Sequence, residues 1–422
     1  MAIQNNNPWK ALAPYEVNDD KIFCGRDTEL REITTLIEYD SVVTLYGKSG
    51  IGKTSLLNAG VIPNLSLGDY IPKTIRLGEY DNIDTFAEII LSHLSDSVTD
   101  IDYTQKDVFV NFFKQYRLCN NYGESATAII ILDQFEEILI NNSSEAQLLL
   151  KQIAEWKRNV DNTLSDCHFV ISIREDDLYL LEELIDKYRL NSLRSARYRL
   201  RGITRKGAED IIRNPGRDII HDDEVVGKIL SRLNNNAGED GEVVFEASEL
   251  SLICSQLYHK MVDGNMKNIT TDLVVRSARS SIEEYYRAAI KDLSAKQISI
   301  IESDLITDNG RRSFMSADRF NKIFSENIRN TLVQGDYRFL HVVNNRVEVV
   351  HDTLALAIKR VRDERMESDI DKRKFADYLW CFLAYAIVYA PLMLAIYMWK
   401  NLATIGHENQ IGFTWDVINY DD

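Results

Sequence analysis

The feature that most constrains how this chain can fold is the string Gly47-Lys-Ser-Gly-Ile-Gly-Lys-Thr54. Its spacing, G-x-x-x-x-G-K-[ST], is that of a loop whose backbone N–H groups surround a phosphate, with the dipole of the next helix behind it. The apolar run Val42–Tyr46 precedes the string and a helix-like stretch, 54–60, follows it. We therefore predict a strand–loop–helix unit that binds a nucleotide; a Gly-rich turn with an incidental lysine is the alternative. The predicted phosphate-binding residues are Gly47, Ser49, Gly50, Ile51, Gly52, Lys53, Thr54 and Ser55.

Oxygen ligands and acids suited to Mg²⁺ and water are found at two places in the sequence. The Thr54 hydroxyl is expected to bind Mg²⁺. The apolar run Ala128–Leu132 ends at Asp133, which suits the second Mg²⁺ position beside a phosphate loop. Glu136 and Glu137 follow, and either of them could polarise an attacking water.

Two cationic side chains are expected to meet the phosphates. Lys53 would reach the β- and γ-phosphates from the loop itself. The apolar run Phe169–Ile173 ends at Arg174, on the sheet edge where ligands bind, so Arg174 could sense or stabilise γ-phosphate charge. A surface ion pair with Glu175 or Asp176 is its alternative role.

Segments of strand character alternate with segments of helical periodicity up to about residue 203. The predicted strands are Val42–Tyr46, Thr74–Leu77, Ala128–Leu132, Phe169–Ile173 and Tyr198–Leu200. Such alternation indicates a parallel sheet with helices on both faces, and the unbroken apolar run at 128–132 suits a central strand.

Beyond residue 203 the pattern is helical, and one predicted helix covers Asp272–Asp292. Two further helical stretches, Ala295–Ile306 and Ser316–Leu332, precede a hairpin pattern at Tyr337–Val343 and Arg346–Val350, joined by Asn344-Asn345. The predicted fold class is an α/β P-loop NTPase followed by an all-α helical domain, a winged-helix domain and a C-terminal transmembrane helix. The predicted boundaries are 1–40 for an N-terminal segment, 41–203 for the NTPase domain, 204–293 for the helical domain, 294–365 for the winged-helix domain, 366–377 for a charged linker, 378–399 for the membrane span and 400–422 for a tail.

Composition limits the other classes of function. The net charge is −16, which argues against a surface attracted as a whole to nucleic acid or anionic lipid. The five cysteines are far apart and have no histidine at ligand spacing, so neither a zinc site nor a disulfide framework is expected. The first residues lack a basic and an apolar region, so no signal peptide is expected.

One stretch, Tyr378–Trp399, contains no charged residue. As a helix it would be about 33 Å long, enough to cross the hydrocarbon core of a bilayer. Lys372, Arg373 and Lys374 precede it, so the positive-inside rule predicts a single-pass cytoplasmic membrane protein whose NTPase part faces the cytoplasm. A buried core helix or an oligomer interface is the alternative.

Taken together, several segments closely resemble the novel STAND NTPases, which are bacterial signal-transducing P-loop ATPases. The resemblance covers roughly residues 7–365. It rests on Phe23-Cys-Gly-Arg-Asp27, the phosphate loop continuing into Ser55-Leu-Leu-Asn-Ala-Gly-Val-Ile-Pro63, Asp133-Gln-Phe-Glu-Glu137, Ser172-Ile-Arg-Glu-Asp-Asp177, Tyr198-Arg-Leu-Arg-Gly-Ile-Thr204, Ile212-Arg-Asn-Pro215 and Val349-Val-His-Asp-Thr-Leu354.

The resemblance implies further roles. Gly25 and Arg26 match the family's Gly-Arg element near the adenine, and Pro215 matches a proline that packs on the base. His351 is similar to a histidine that touches the β-phosphate of ADP in related ATPases, although a position at a helix start capped by Asp352 is the alternative. Asp133 matches the Mg²⁺ acid, either Glu136 or Glu137 the water-activating acid, and Arg174 the sensor arginine.

The implied function is a membrane-anchored ATP/ADP switch with slow hydrolysis, in bacterial signalling or defence. ADP would hold the modules closed, and ATP would release them to assemble into a homo-oligomer after an unknown trigger. The alternative is a winged-helix, nucleic-acid-linked ATPase or transcriptional regulator. Few cationic residues in the expected wing and the acidic chain make a nucleic-acid partner the less favoured expectation.

Overall fold

The computed structural model describes residues 7–410 apart from 67–68, 81–84, 96–100, 121, 142, 160–165, 234–235, 238–242, 278–281, 336–337, 344 and 351. The chain forms two compact units, Met1–Lys359 and Arg360–Asp422. The strands are β1 Val42–Gly47, β2 Tyr70–Ile75, β3 Thr127–Leu132, β4 Cys167–Arg174, β5 Ala196–Arg199, β6 Ile203–Thr204, β7 Asn236–Ala237, β8 Val243–Phe245, β9 Phe314–Ser316, β10 Leu340–Val343 and β11 Arg346–Val349.

The helices that surround the first five strands are α1 Asp27–Tyr39, α2 Lys53–Ser55, α3 Ile62–Leu65, α4 Phe86–Ser92, α5 Val108–Gln115, α6 Glu136–Asn141, α7 Ser143–Asn159 and α8 Leu178–Tyr188. A π-helical segment, Leu56–Val61, joins α2 to α3. The later helices are α9 Arg205–Arg213, α10 Asp223–Leu230, α11 Ala247–Asp263, α12 Thr271–Arg276, α13 Ile282–Ala289, α14 Ala295–Asp304, α15 Ala317–Ile323, α16 Glu326–Gln334 and α17 Asp352–Gln410.

The parallel sheet has the order β2-β3-β4-β1-β5. Alternate residues of β3 enter different cores: Ile130 packs with Phe169 beneath α4–α8, and Ile131 packs with Val170 beneath α1 and the helix after the loop. Residues 128–132 are buried on both faces, which explains their unbroken apolar run. The prediction of a parallel sheet flanked by helices on both faces is confirmed.

The predicted position of the second strand is wrong by several residues. β2 begins at Tyr70 instead of Thr74, and Leu77 lies in a short 3₁₀ turn after it. β2 is an edge strand, where Pro72 is tolerated because the outer side needs no N–H donor. Pro72 and the exposed Lys73 interrupt the apolar pattern of β2, so a search for apolar runs places the strand too late in the sequence.

The prediction of an all-α domain at 204–293 is wrong. Three short strands form an antiparallel sheet of order β6-β8-β7 beside α9–α13. The helix expected over Asp272–Asp292 ends at Arg276, and a new helix begins at Ile282. Strands of two or three residues leave no periodic signal in the sequence, so the pattern could not reveal them.

The last part of the first unit combines α14–α16 with an antiparallel sheet of order β10-β11-β9. The helix expected over Ser316–Leu332 is two helices, because Phe324 is extended and Ser325 starts a new helix. The predicted hairpin is present as β10 and β11, with Asn345 at φ +64° in its turn. Asn344 lies outside the described residues.

In the second unit the described residues continue α17. Among the described residues, one helical segment is long and apolar enough to cross a membrane, namely the 28 residues Lys374–Asn401. Large apolar side chains such as Trp380, Phe382 and Trp399 are exposed along it.

Candidate nucleotide site

The phosphate loop links β1 to α2 at the carboxyl edge of the parallel sheet. Gly50 and Gly52 have φ values of +79° and +99°, a region that residues with a side chain rarely adopt. A side chain at Gly47 would come within 3.0 Å of the Leu200 carbonyl oxygen. The Lys53 ammonium group donates to the carbonyl oxygens of Gly47 and Lys48, at 2.8 and 3.3 Å. The lysine therefore lies across the mouth of the loop, where a phosphate would meet it.

Asp133, at the end of β3, is buried beside the loop. Its Oδ2 accepts a hydrogen bond from Thr54 Oγ1 at 2.9 Å, and its Oδ1 accepts one from Ser172 Oγ at 2.8 Å. Arg76 Nε lies 3.6 Å from Oδ2. The Thr54 hydroxyl and the carboxylate are hard oxygen donors close enough to share a Mg²⁺ ion, whose remaining ligands would be phosphate oxygens and water.

Glu136 is the first residue of α6 and is buried at the wall of the same cavity. Its Oε2 accepts from the backbone N–H of Arg174 at 3.2 Å, and its Oε1 lies 3.3 Å from Arg174 Nε. Burial raises the pKa of Glu136, while Lys53 and Arg174 oppose the rise. A carboxylate with a raised pKa has the basicity that a general base requires.

Glu137 has a different environment from Glu136. It packs against Gly78, where any side chain would come within 3.0 Å of the carboxylate, and it lies 3.7 Å from Arg312. Burial raises the pKa of Glu137 to about 7. With its amide oriented to satisfy both neighbours, Gln134 donates to Glu137 and accepts from Arg312.

Arg26 supports the loop from behind. Its buried guanidinium group donates to the Ile51 carbonyl oxygen at 3.0 Å and to the Arg201 carbonyl oxygen at 2.8 Å, and it pairs with Glu29 at 2.6 Å. Burial lowers the pKa of Arg26. Gly25, at φ +76°, is so close to Gly207 of α9 that a side chain at either position would lie less than 3.0 Å from the carbonyl oxygen of the other.

These groups border a cavity of about 1140 Å³, its open mouth included. One side, which we call the sheet wall, consists of Ser49–Ser55, Arg76, Asp133, Gln134, Glu136, Ser172 and Arg174. The lining residues that follow the parallel sheet in sequence, which we call the outer wall, are Ile203, Ile211, Ala247, Ser248, Ser251, Arg312 and Val350. The N-terminal segment adds Ala11–Tyr15, Ile22–Cys24 and Arg26. The cavity thus has a charged region beside the loop and a mostly apolar region, as a nucleotide requires.

The structure brings most of the predicted site residues to this cavity. Four of them, Gly25, Gly47, Glu137 and Pro215, are not among the described residues that line it. Gly25 and Gly47 make close backbone contacts beside it, whereas Pro215 is half-buried after α9. His351 lies outside the described residues.

Several lining residues were not predicted. Arg76 could have been found, since it follows a strand of the sheet and the ends of parallel strands share one edge. The N-terminal segment is anchored by Trp9, whose indole N–H donates to the Ile211 carbonyl oxygen at 3.0 Å, and by the Tyr15 N–H, which donates to Ser55 Oγ at 3.1 Å. A lone arginine such as Arg312, far along the chain, gave no signal.

No protein of curated function has a significantly similar sequence. Among solved structures, the Aeropyrum pernix ORC2 protein in its ADPNP–ADP complexes is similar with a TM-score of 0.46 and 12% identity, over 87% of this chain and 99% of that one. The Aeropyrum pernix ORC1 protein in complex with DNA has a TM-score of 0.45 and 15% identity, over 84% and 96%. The model of the family Novel STAND NTPase 1 matches residues 8–377, and the chain therefore belongs to this family of P-loop NTPases.

Proposed function

We propose that this protein is a membrane-anchored switch that binds ATP and ADP with Mg²⁺ and hydrolyses ATP slowly, in bacterial signalling or defence. The observation that carries the proposal is the composition of the cavity: the parallel sheet, the helical segment and the C-terminal part of the first unit all line it. A nucleotide there contacts all three at once. Since a ligand shifts an equilibrium only through unequal affinity for its states, such a site can couple nucleotide identity to the arrangement of the parts.

In the proposed mechanism each polar group has one task. The loop N–H groups and Lys53 bind the phosphates. Arg174 senses or stabilises the negative charge of the γ-phosphate. Thr54 and Asp133 hold Mg²⁺, which supplies charge neutralisation at the phosphates when it is bound. Glu136 orients the attacking water and accepts its proton.

Slow hydrolysis is supported by the partners of Glu136. Both of its carboxylate oxygens are engaged by Arg174, one by the backbone N–H and the other by the guanidinium group. Each of these bonds stabilises the charged carboxylate and so lowers its basicity towards water. In the proposed mechanism this slows hydrolysis, and the nucleotide stays bound long enough to act as a signal.

The test compares two lysines of one loop. Lys53→Ala removes the phosphate-binding ammonium group, and we expect retained nucleotide and ATP-dependent oligomerisation to be lost. Lys48→Ala changes an exposed neighbour whose side chain is not among the lining residues, and should behave as wild type. The measurements are nucleotide content by chromatography after heat release and mass by light scattering in detergent. Equal nucleotide in both variants would contradict the proposal.

For the anchor we propose residues 378–399. Support comes from the apolar side chains exposed along this helix, since a contiguous exposed apolar surface of this length suits lipid better than water. We expect the chain to sediment with membranes and to resist carbonate extraction. A variant with Leu383→Lys and Leu394→Lys should appear in the carbonate supernatant. Recovery of the wild type in the soluble fraction without detergent would exclude the anchor.

The alternative function depends on the C-terminal part of the first unit, which we interpret as a winged helix. Arg346 in its hairpin donates to the Gly78 carbonyl oxygen at 2.8 Å and lies over the Phe314 ring, so it is already engaged. Binding to nucleic acid at physiological salt normally requires several phosphate contacts. We expect no salt-sensitive shift of duplex DNA, and such a shift would favour the alternative.

A further inference from the structure

Arg312 comes from outside the parallel sheet and yet lines the nucleotide cavity. It follows a tight turn after α14, where Ile306 and Arg312 form a β-bridge and the Ser313 N–H donates to the Leu305 carbonyl oxygen at 2.8 Å. The side chain is only 8% exposed. Its backbone is therefore held by the C-terminal part of the first unit, while its guanidinium group faces the residues that follow Asp133.

The partners of Arg312 lie on both sides of this boundary. From the C-terminal part, the Val349 carbonyl oxygen accepts from Nη1 at 3.3 Å and Glu348 lies 3.6 Å away. From the NTPase side, Glu137 lies 3.7 Å away, and the Gln134 amide oxygen accepts from Nη2 at 2.9 Å. Both carboxylate distances are longer than the roughly 2.7–2.9 Å of a charge-assisted hydrogen bond. A phosphate oxygen at bonding distance would therefore be a stronger partner than either glutamate.

Charge and position indicate which part of a nucleotide Arg312 meets. The lining residues include four arginines and one lysine against two carboxylates, an excess of positive charge that suits a phosphate chain with Mg²⁺. Arg312 belongs to the region of Gln134 and Glu137, which follow the proposed Mg²⁺ ligand Asp133. The apolar side chains of the N-terminal segment and of Ile203 and Ile211 provide the surface for the base. Arg312 is thus placed on the side of the terminal phosphate.

We propose that Arg312 binds the terminal phosphate of a nucleoside triphosphate and makes the site discriminate a triphosphate from a diphosphate. This inference rests on the proposed nucleotide-binding function. A γ-phosphate would take the place of Glu137 and Glu348 as the anionic partner of Arg312. It thereby replaces a direct ion pair between the two parts of the unit with one that exists only while the triphosphate is bound.

The chain provides a matched control in the neighbouring residue. Arg311 also crosses the boundary, with Nη2 3.0 Å from Oδ1 of the buried Asp177, but it is half-exposed and is not among the described lining residues. Arg311→Gln therefore removes an interface charge of the same kind without touching the cavity. Arg312→Lys keeps a positive charge at the site but loses the forked geometry.

The experiment measures the affinities of ATPγS and ADP for the full chain in detergent with Mg²⁺, by isothermal titration calorimetry. We expect Arg312→Gln to weaken ATPγS binding by about 10- to 100-fold, the value of a lost charge-assisted hydrogen bond, and ADP binding by less than about threefold. Arg312→Lys should fall between Arg312→Gln and wild type. Arg311→Gln should leave both affinities unchanged.

The ratio of the two affinities is the decisive quantity, because partial unfolding lowers both in proportion. If Arg312→Gln and Arg312→Lys keep the wild-type ratio, or if Arg311→Gln changes it as much, the inference is overturned while nucleotide binding stands. If the wild type binds neither nucleotide, the proposed function fails, and this inference fails with it.

Discussion

The two walls of the nucleotide cavity are built in different ways. The sheet wall stands on strands such as β3, whose residues 128–132 are buried in apolar cores on both faces. The part of the outer wall that carries Arg312 meets the NTPase side through polar contacts of Arg311, Arg312 and Arg346. Burial of apolar side chains contributes far more to the free energy of unfolding than a few ion pairs at partly exposed positions do. In the proposed switch, the phosphate-binding groups therefore stand on the wall with the apolar cores, and Arg312 stands on the wall that is joined to it through polar contacts.

The largest expected effect tests the stability of the sheet wall. Ile130→Ala leaves a cavity in the core under β3 and should lower the free energy of unfolding by about 2–5 kcal/mol. Ile140→Ala, at a half-exposed position of α6, should cost less than about 0.5 kcal/mol. Both are measured by chemical denaturation of the full chain. Equal costs at the two positions would mean that the apolar core beneath β3 does not give the sheet wall its stability.

A smaller effect tests the attachment of the outer wall. Arg346→Gln removes the hydrogen bond to the Gly78 carbonyl oxygen and should cost about 1 kcal/mol. Hydrogen exchange should accelerate in β9 and β11 and remain unchanged in β3, because only the C-terminal part is loosened. Arg319→Gln is the control, since its ion pair with Asp304 lies within that part. Equal acceleration in β3 and β11 would mean that the two walls open together.

The smallest effect concerns pH at the boundary between the walls. Burial raises the pKa of Glu137 from about 4.5 to about 7, against the opposing charges of Arg312 and Arg76 and with the help of Glu348 and Glu136. Between these two pH values the folded chain keeps a proton that the unfolded chain has released. The contribution of Glu137 to the free energy of unfolding therefore falls as pH rises from about 4.5 to about 7 and is constant above that.

Glu137→Gln removes this contribution, so its melting temperature should fall less than that of wild type between pH 5 and pH 7.5. Because the carboxylate is 31% exposed and screened by solvent, we expect a difference of about one to two degrees. Differential scanning calorimetry at both pH values measures it. If the melting temperature of the variant fell more steeply than that of the wild type, the pKa of Glu137 would be lowered in the folded chain and not raised.

The sheet wall was largely predictable because its signals are local. The phosphate loop is recognisable from eight consecutive residues, 47–54. The apolar runs at 128–132 and 169–173 end directly at Asp133 and Arg174. These residues are expected to lie close together, because the carboxyl ends of neighbouring parallel strands meet at one edge of the sheet. Glu136 and Glu137 could not be separated by sequence, because only the start of α6 directs one towards the cavity and the other towards Gly78.

The outer wall could not be predicted in the same way, because its contacts join residues far apart in sequence. Nothing in the spacing of Ser248, Arg312 or the segment Ala11–Tyr15 marks them as neighbours of the phosphate loop. The strands β7 and β8 are too short for a periodic signal, and a break between α12 and α13 is easily read as continuous helix. The roles of Pro215 and His351 stay predictions.

The close approach of Gly25 and Gly207 makes these two positions useful for engineering. A side chain at either position would clash with the carbonyl group of the other, so Gly207→Ala would push α9 away from the segment before α1, as a wedge does. The wedge alters no lining residue of the cavity. Under the proposed function, this variant would separate the helical segment from the phosphate loop while every residue that lines the cavity is kept, and it would distinguish opening of the protein from loss of its nucleotide.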